Sequence, residues 1–549
     1  MKKLPVVLVL VAGMACAVNA NNIAVTNVSF SDQVAASHYC NVKFDLSWEN
    51  SWRTTSVPNN WDAAWVFVKY RVSGGVWHHA KLSPTAGDHT PASGSTITPS
   101  ADSVGVFIYR SANGSGTNTW TNIKVRWYYG KNGVADDASL EVKVFSTEMV
   151  YIPQGSFYLG DGNGTTESLY AIHPAASDNN PFQVTTTSAQ IKADVSVYDD
   201  NYVEGTSSCT LSIDGDGGIV TTGSPTPQTN LNYPTGYNAF YLMKYSASQE
   251  QIVDYLNTLT RTQQDQRLAA DISGTAPSVP FVLSNLVNVS ERNGIRCPAD
   301  ISAPGPVTLV CDYSNNTVGN EAGDGQNIGC NYLNWMDMAA YADWAGLRPM
   351  TELEFEKASR GTNSPVFNEF AWGTTNLSGL YYATSNAGQA SESFSNCGVN
   401  TGNGTIASTY YGPVRTGVFA ASATNKTRQE TGAGYYGNME LSGDMEEFAV
   451  ILANVAGRSF TGLHGNGELN NSGDADVDYW PGINGNASTT TQNTIYGGTT
   501  GVTAYAGGGL KGGDYVNNSS VATISRRNIS MSIINRMSTL GIRVCRTAP

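Results

Sequence analysis

The chain has 549 residues, with 31 Lys and Arg against 45 Asp and Glu, which gives a formal net charge of −14. Charged residues make up 14% of the sequence and hydrophobic residues 40%. The acidic balance lacks the basic footprint of a nucleic-acid-binding protein, and the apolar content excludes a wholly disordered chain. Because the length exceeds one ordinary hydrophobic core, we expect two folded units, or one unit with large insertions.

The N-terminus has the three parts of a secretory signal peptide. Two lysines precede a short apolar run, and small residues follow as far as Ala20. We therefore predict a signal peptide at residues 1–20 and a secreted, extracellular or cell-surface protein. Lipid attachment at Cys16 is the alternative, although Gly13 stands where lipoproteins usually carry an aliphatic residue.

Export would allow disulfide bonds, and the chain without residues 1–20 keeps all of its eight cysteines except Cys16. Seven is an odd number, so at least one thiol is expected to be free or paired between chains. Cys297 and Cys311 are close enough in sequence to close a short loop. Mostly buried free thiols are an equally supported alternative.

Residues 21–148 have the pattern of an all-β unit. Apolar residues recur at every second position, as at Val42, Phe44 and Leu46, and later at Trp65 and Phe67. A period of two is typical of strands with one buried face, and Gly-rich turn clusters separate the runs at hairpin distances. We predict an immunoglobulin-like β-sandwich that serves as an adhesion or spacer module.

Helical patterns appear only after residue 150, within a Gly-, Asn- and Thr-rich remainder. The first helix is predicted to start at Ser248, which stands three residues before Gln251 in the spacing of a capping box. A second is predicted over about residues 336–345, and a third over residues 351–360, which also begins with a capping-box spacing. The rest of residues 149–549 is expected to be short extended pieces joined by loops.

Several blocks of this remainder resemble the formylglycine-generating enzyme (sulfatase-modifying factor) family. Residues 347–361 resemble its Leu-Pro-Thr-Glu-x-Glu-Trp-Glu helix that ends in Arg-Gly, and residues 441–448 resemble its Met-x-Gly-Asn-x-Trp-Glu-Trp block. The resemblance implies an α+β, loop-rich, C-type-lectin-like fold for residues 149–549. The other matching blocks, in family order with these two, are residues 151–160, 371–373, 511–515 and 541–543.

The resemblance also implies where metal chemistry would lie. The family holds a copper ion through two cysteine thiolates, and those positions fall on Asn517 and Ala522 here. Neither an amide nor a methyl group replaces a thiolate as a Cu(I) ligand. A related branch binds iron through histidines, of which residues 149–549 contain only His173 and His464. We therefore expect no copper or iron, and no formylglycine formation.

A structural calcium ion is implied by the same resemblance. Asp444 and Glu447 stand at the two side-chain positions that bind Ca²⁺ in the family, and carboxylate oxygens suit this hard cation. The alternative is that Asp444 caps a turn and Glu447 pairs with a neighbouring arginine.

Two functions of different class follow. The first is a secreted or cell-surface binding or structural protein that uses a catalytically degenerate domain to recognise a glycan or a protein. The second is a metal-dependent oxidoreductase of the family with altered chemistry. A nucleic-acid partner is not expected, and self-association is left open. Short polar and aromatic side chains suit adaptable recognition, and the predicted ligand-binding surface consists of Trp480, Asp514, Tyr515, Asn517, Asn518, Arg526, Arg527, Asn528 and Asn535.

Overall fold

The computed structural model describes residues 23–162, 232–301, 305–379, 381–405, 411–451, 457, 459–484, 507–517, 519–526 and 536–549, together with short pieces between 169 and 230. The predicted signal peptide lies outside these residues. Within them the fold is mostly β with few helices, in agreement with the predicted α+β, β-rich class. None of the helices described has the length and apolarity needed to cross a bilayer.

The N-terminal strands form two antiparallel sheets that pack face to face. One has the order β1-β2-β7, and the other contains β5, β6, β3 and β8 as neighbours, with β4 paired to β3. These strands are β1 (Ala24–Val34), β2 (Tyr39–Arg53), β3 (Asp62–Val72), β4 (His78–His79), β5 (Ser95–Pro99), β6 (Val106–Arg110), β7 (Gly114–Trp127) and β8 (Leu140–Ile152).

Strands β2 and β3 differ in the number of faces that they bury. On β2, buried residues alternate with partly exposed ones, since only one face meets the core. On β3, Val66 and Val68 pack against the β1-β2-β7 sheet, whereas Trp65 and Phe67 pack against the C-terminal part of the chain. The prediction of one buried face is therefore right for β2 and wrong for β3, which lies between two layers.

The remaining strands are short, with the longest holding five residues. Strands β22, β23 and β24 form a small sheet with β22 in its centre, and β10 to β15 without β11 form another. The strands are β9 (Phe157–Leu159), β10 (Leu169–Ile172), β11 (Phe182–Val184), β12 (Ile191–Ala193), β13 (Tyr202–Gly205), β14 (Thr210–Ile213), β15 (Thr226–Pro227), β16 (Phe240–Met243), β17 (Ile295–Arg296), β18 (Val310–Cys311), β19 (Arg348–Pro349), β20 (Thr384–Ser385), β21 (Ser393–Phe394), β22 (Glu446–Val450), β23 (Gly508–Lys511), β24 (Leu540–Gly541) and β25 (Val544–Thr547).

Strand β8 belongs to both parts of the molecule. It pairs with β3 along residues 140–150 and with β16 along residues 149–152, so that at its C-terminal end it is hydrogen-bonded on both edges. The sheet continues from β16 through β25 to β19. The boundary that we predicted between residues 148 and 149 falls inside this strand, and one of the two N-terminal sheets, the one that contains β3, β5, β6 and β8, continues into the C-terminal part.

The three predicted helices are confirmed. Helix α1 begins after Ser248, whose Oγ accepts from the backbone N–H of Gln251, and α4 begins after Thr351 with the same reciprocal capping box. The short helices α2, α5 and α6 were not predicted. The helices are α1 (Gln249–Leu256), α2 (Arg261–Arg267), α3 (Trp335–Trp344), α4 (Glu352–Arg360), α5 (Val418–Ser422) and α6 (Arg428–Thr431).

The cysteines that the structure describes are free thiols. Cys297 follows β17, and Cys311 lies at the opposite end of the antiparallel pairing of β17 with β18. Both are buried free thiols, so the alternative of buried free thiols describes this pair. Cys209 lies outside the described residues. The free thiols are Cys40, Cys297, Cys311, Cys330, Cys397 and Cys545.

Candidate functional site

The Gly-Gly block near the C-terminus lies beside a small cavity. Strand β22 pairs with β23, and the chain leaves β23 through Gly512 and Gly513. The cavity has a volume of about 160 Å³. Two residues of the predicted ligand-binding surface, Asn517 and Arg526, line it, and the full lining is Glu446, Leu510, Lys511, Gly512, Gly513, Asn517, Val521 and Arg526.

Gly513 determines the path of the chain around this cavity. Its φ is 66°, and a Cβ at this position would lie 2.8 Å from the backbone N and Cα of Ala522. Only glycine allows this close approach together with a left-handed backbone. The contact holds a 3₁₀ segment, Ser519–Ala522, next to the end of β23.

The two positions that the resemblance assigns to copper ligands have different surroundings. Asn517 is exposed and lines the cavity. Ala522 is buried in a small apolar cluster with Phe370 and Trp372. The first position therefore presents an amide to solvent, and the second contributes a methyl group to packing.

Asp514 shapes the loop that carries Asn517. Its Oδ1 accepts hydrogen bonds from the backbone N–H of Val516 at 2.7 Å and of Asn517 at 2.8 Å, and its Oδ2 accepts from Asn517 Nδ2 at 2.7 Å. This is an Asx turn, in which a side chain replaces backbone partners. Asp514 is 1% exposed, so it positions Asn517 and does not itself lie on the surface.

A buried network of charges supports the cavity. Lys511 is 1% exposed, and its Nζ lies 3.6 Å from Glu356 Oε1 and 5.3 Å from the centre of the Phe355 ring. Glu356 Oε2 accepts from Arg360 Nη1 at 2.8 Å, and Arg360 Nε donates to Glu369 at 2.5 Å. The two positive charges of Lys511 and Arg360 balance the two negative charges of Glu356 and Glu369, as buried charges require. Among the lining residues, Arg526 carries a guanidinium, Glu446 a carboxylate and Asn517 an amide, while the ammonium of Lys511 is buried near Glu356.

Asp444 and Glu447 have separate partners. Asp444 has a φ of 68°, and its Oδ1 accepts from the backbone N–H of Val414 at 2.8 Å. Both carboxylate oxygens of Glu447 accept from Arg543 Nε at 2.8 Å, and Ser246 Oγ donates to Oε1 at 2.5 Å. Burial raises the pKa of Asp444 to about 7.

This arrangement does not fit a calcium ion shared by the two side chains. A cation bound to Glu447 would have to displace the guanidinium of Arg543, which already neutralises that carboxylate. The contacts correspond to the alternative of a turn cap and an arginine pair. Calcium at Asp444 and Glu447 remains a prediction of the resemblance. Among the described residues, no group of three or more His, Cys, Asp or Glu side chains is placed to hold a metal.

Trp480 and Tyr515 do not lie on a surface, contrary to our prediction. Trp480 is fully buried, and its Nε1 donates to the carbonyl of Leu463 at 2.9 Å. Tyr515 is 2% exposed, and its hydroxyl donates to the carbonyl of Ser538 at 3.1 Å. Both rings bury their apolar area and satisfy their one polar end inside the fold. The other predicted surface residues, Asn518, Arg527, Asn528 and Asn535, lie outside the described residues.

Sequence reasoning missed Lys511 and Glu446 as lining residues. Both stand inside blocks that resemble the family, residues 441–448 and 511–515, so the sequence already pointed to these segments. Their strands are buried at every position, and such strands have no alternation from which the direction of a side chain can be inferred.

Cys545, the cysteine nearest to the C-terminus, packs inside the fold. It is fully buried on β25, where Arg348 Nη1 donates to its Sγ at 2.9 Å. Burial raises the pKa of this thiol well above its ordinary value. It does not line the cavity beside Asn517.

Comparison with known proteins supports the resemblance. No curated protein matches the chain. The family described as sulfatase-modifying factor enzyme 1-like domain matches it over residues 203–548, which include the cavity, α1, α3 and α4. The chain therefore belongs to the sulfatase-modifying factor enzyme 1-like domain family.

Proposed function

We propose that the protein is a secreted or cell-surface binding protein that recognises a glycan or a protein through the cavity beside Asn517. The observation that carries the proposal is the chemistry of the two positions where the family holds copper. An exposed amide and a packed methyl group stand there in place of thiolates, and neither is a ligand for Cu(I). The catalytic function is accordingly proposed to be lost, and recognition to remain.

The lining of the cavity supports recognition of a polar group. Arg526 supplies a cationic donor, Glu446 supplies an acceptor, and Asn517 supplies an amide. A volume of about 160 Å³ is below the range of roughly 300–1,000 Å³ that is usual for sites that enclose a whole small molecule. The proposed ligand therefore inserts one unit, a single sugar or one side chain, while the rest of it lies on the surface outside.

The proposal also assigns a specific fold to each part of the chain. We assign residues 149–549 to the C-type-lectin-like fold of the formylglycine-generating enzyme, because short strands, a few short helices and long loops make up this part. The packed N-terminal sheets are assigned to an immunoglobulin-like sandwich that presents the rest of the chain. Export by residues 1–20 would place both at the cell surface.

Binding of the full chain to a glycan array and to a panel of extracellular proteins tests the proposal. The full chain is used because β8 is shared between the two parts and a cut at residue 149 would divide it. We expect Asn517→Ala and Arg526→Ala to weaken binding at least about tenfold, the effect of losing one hydrogen bond to a charged group. Asn471→Ala is the matched control, since this exposed asparagine does not line the cavity.

Two results would overturn the proposal. The first is a ligand whose affinity is the same for the natural chain, Asn517→Ala and Arg526→Ala. The second is stoichiometric copper or iron in the secreted protein, measured by mass spectrometry, which would favour the metal-dependent oxidoreductase instead.

A further inference from the structure

Three buried ionisable side chains meet where the N-terminal strands join the C-terminal part of the chain. Lys244 follows β16, Glu148 belongs to β8, and Asp62 is the first residue of β3. Lys244 Nζ lies 2.9 Å from Glu148 Oε2 and 3.2 Å from Asp62 Oδ2, and the three side chains are at most 4% exposed. An amine and two carboxyl groups are therefore held in contact, away from bulk water.

Aromatic rings line this cluster, and Glu49 is a further carboxylate near it. The ammonium nitrogen lies 5.0 Å from the centre of the Trp52 ring and 5.4 Å from that of the Tyr245 ring. Its third hydrogen bond goes to the carbonyl of Asn50 at 3.4 Å. The side chain of Glu49 adds a negative charge from a partly exposed position. The three buried groups therefore face one another and aromatic rings, and solvent has little access to them.

The carboxyl group of Asp62 accepts hydrogen bonds at both of its oxygens. Oδ1 accepts from Ser51 Oγ at 2.7 Å and from the backbone N–H of Trp52 at 3.0 Å, and Oδ2 accepts from Trp48 Nε1 at 2.9 Å. Donors at these distances stabilise the negative charge that develops on a carboxyl oxygen when a nucleophile adds to the carboxyl carbon. Asp62 therefore suits the role of the group that is attacked.

Glu148 suits the transfer of protons to and from the lysine. Burial raises the pKa of Glu148 from 4.5 to about 7, so near neutral pH its carboxyl group both takes up and releases a proton. Burial opposes the charge of Lys244, but the neighbouring carboxylates outweigh this effect and raise its pKa, so the lysine starts as an ammonium group. The contact of Nζ with Oε2 gives the protons of this ammonium group a path off the nitrogen.

We propose that the side chains of Lys244 and Asp62 condense to an amide bond within the folded chain, with Glu148 as the proton carrier. Nζ of Lys244 bonds to Cγ of Asp62, and the bond between Cγ and Oδ2 breaks. The ammonium group loses two protons, which leave with Oδ2 as one water molecule, and Glu148 ends in the protonation state in which it began. The condensation needs no oxidant and no other reactant.

Two physical effects favour this bond. Holding the reacting groups in contact removes the entropy cost of bringing them together, which in intramolecular reactions corresponds to effective concentrations of about 10⁵–10⁸ M. The condensation also replaces a positive and a negative charge, both costly to bury, by a neutral amide. The ion pair in the structure is the reactant, so its contribution to stability is that of the chain before the bond forms.

The bond ties together the two strands that flank β8. Asp62 pairs with Val150 across one edge of β8, and Leu242 pairs with the same residue across the other edge. Lys244 stands two residues after Leu242, so the amide crosses β8 and links the N-terminal strands covalently to the C-terminal part. This role is separate from ligand recognition, and it stands whether or not the cavity beside Asn517 binds a ligand.

Mass spectrometry of the full chain tests the proposal. The chain is incubated at neutral pH, and its mass is measured after denaturation and reduction of the thiols. We expect this mass to be lower than the sequence requires by the mass of one water molecule. Digestion with trypsin should give a branched peptide that joins Asp62 to Lys244, with no cleavage after Lys244.

Variants separate this bond from other losses of water. Lys244→Met lacks the nucleophile and Asp62→Ala lacks the group that is attacked, so both should have the full mass of their sequences. Glu148→Gln lacks the proton carrier and should form the bond about a hundredfold more slowly, or more slowly still. Lys43→Met is the control: it removes a partly exposed lysine of β2 outside the cluster and should keep the loss of one water molecule.

Any of four results overturns the proposal. The first is a natural chain that keeps the full mass of its sequence, and this result does not depend on the folding of any variant. The second is a loss of water that persists in Lys244→Met or Asp62→Ala. The third is a branched peptide that joins Lys244 to Glu148 in place of Asp62. The fourth is a bond that forms equally fast in Glu148→Gln and in the natural chain.

Discussion

Replacement of Lys244 by methionine is expected to destabilise the whole molecule. Lys244 follows β16, and its Nζ lies 2.9 Å from Glu148 on β8 and 3.2 Å from Asp62 on β3. The three side chains are at most 4% exposed. Burial opposes a charge on Lys244, but the two carboxylates outweigh this effect and raise its pKa. The ammonium group therefore joins both parts of the shared sheet.

The magnitude follows from what the substitution leaves behind. Lys244→Met keeps the apolar stem but leaves two carboxylates buried without a cation, and breaking a buried ion pair in this way costs about 3–5 kcal/mol. Asp62 keeps hydrogen bonds from Trp48 Nε1 at 2.9 Å and Ser51 Oγ at 2.7 Å. Most of the loss should therefore arise at Glu148, and adding Glu148→Gln should recover part of it.

The loss should also depend on pH. Burial raises the pKa of Glu148 from 4.5 to about 7. Because the folded state then holds this proton more tightly than the unfolded state does, the contribution of Glu148 to stability falls as the pH rises from about 4.5 to about 7. Without Lys244 the carboxylate is still harder to ionise, so the cost of Lys244→Met should be smaller at pH 5 than at pH 8.

Urea unfolding, followed by tryptophan fluorescence and far-ultraviolet circular dichroism, measures these effects. We expect the two signals to change together, since β8 makes one sheet of both parts. Lys43→Met is the control, with an expected change below about 0.5 kcal/mol for a partly exposed position. A loss below about 1 kcal/mol in Lys244→Met, or separate transitions for the two parts, would show that this ion pair does not hold the shared sheet together.

Three further predictions concern the sites. Because Arg543 already neutralises Glu447, we expect melting curves with and without a calcium chelator to overlay, and a lower Tm with the chelator would establish the calcium site instead. Gly513→Ala should cost more than about 1 kcal/mol in urea unfolding, through its positive φ and the contact with Ala522, and a neutral effect would contradict the close approach. Burial lowers the pKa of His79 well below its ordinary 6.5, so its contribution to stability is lost as the pH falls through about 6.5; in His79→Gln the decrease in unfolding free energy between pH 8 and pH 5 should be smaller than in the natural chain.

Local features of the fold could be predicted from the sequence. Helices α1 and α4 begin with capping boxes, which involve residues only three positions apart. The pairs Ser248 with Gln251 and Thr351 with Glu354 were therefore sufficient to predict where these helices start. The alternation of apolar and polar residues along β2 is also a local pattern, so it predicted the buried face of this strand. The family resemblance then indicated the segment that carries Asn517, which lines the cavity.

Features that depend on distant pairing could not be predicted. Strand β3 shows apolar residues on both faces, but only the packing of α3 against it shows what covers the second face. The sequence predicts Trp480 on a surface because an aromatic residue among polar ones resembles a binding residue, while its burial depends on contacts from the rest of the fold. The backbone N–H of His79 donates to Glu468, and nothing in the sequence indicates that these two residues lie close together.

The double pairing of β8 limits how this gene product can be divided. A fragment that begins after residue 152 would lose the strand that covers one edge of β16 and would leave the backbone donors and acceptors of that edge open to other chains. Exposed edges of this kind promote intermolecular sheet formation, so such fragments are expected to aggregate. Recombination that exchanges the N-terminal strands for another module would face the same penalty unless the incoming module supplied an equivalent strand.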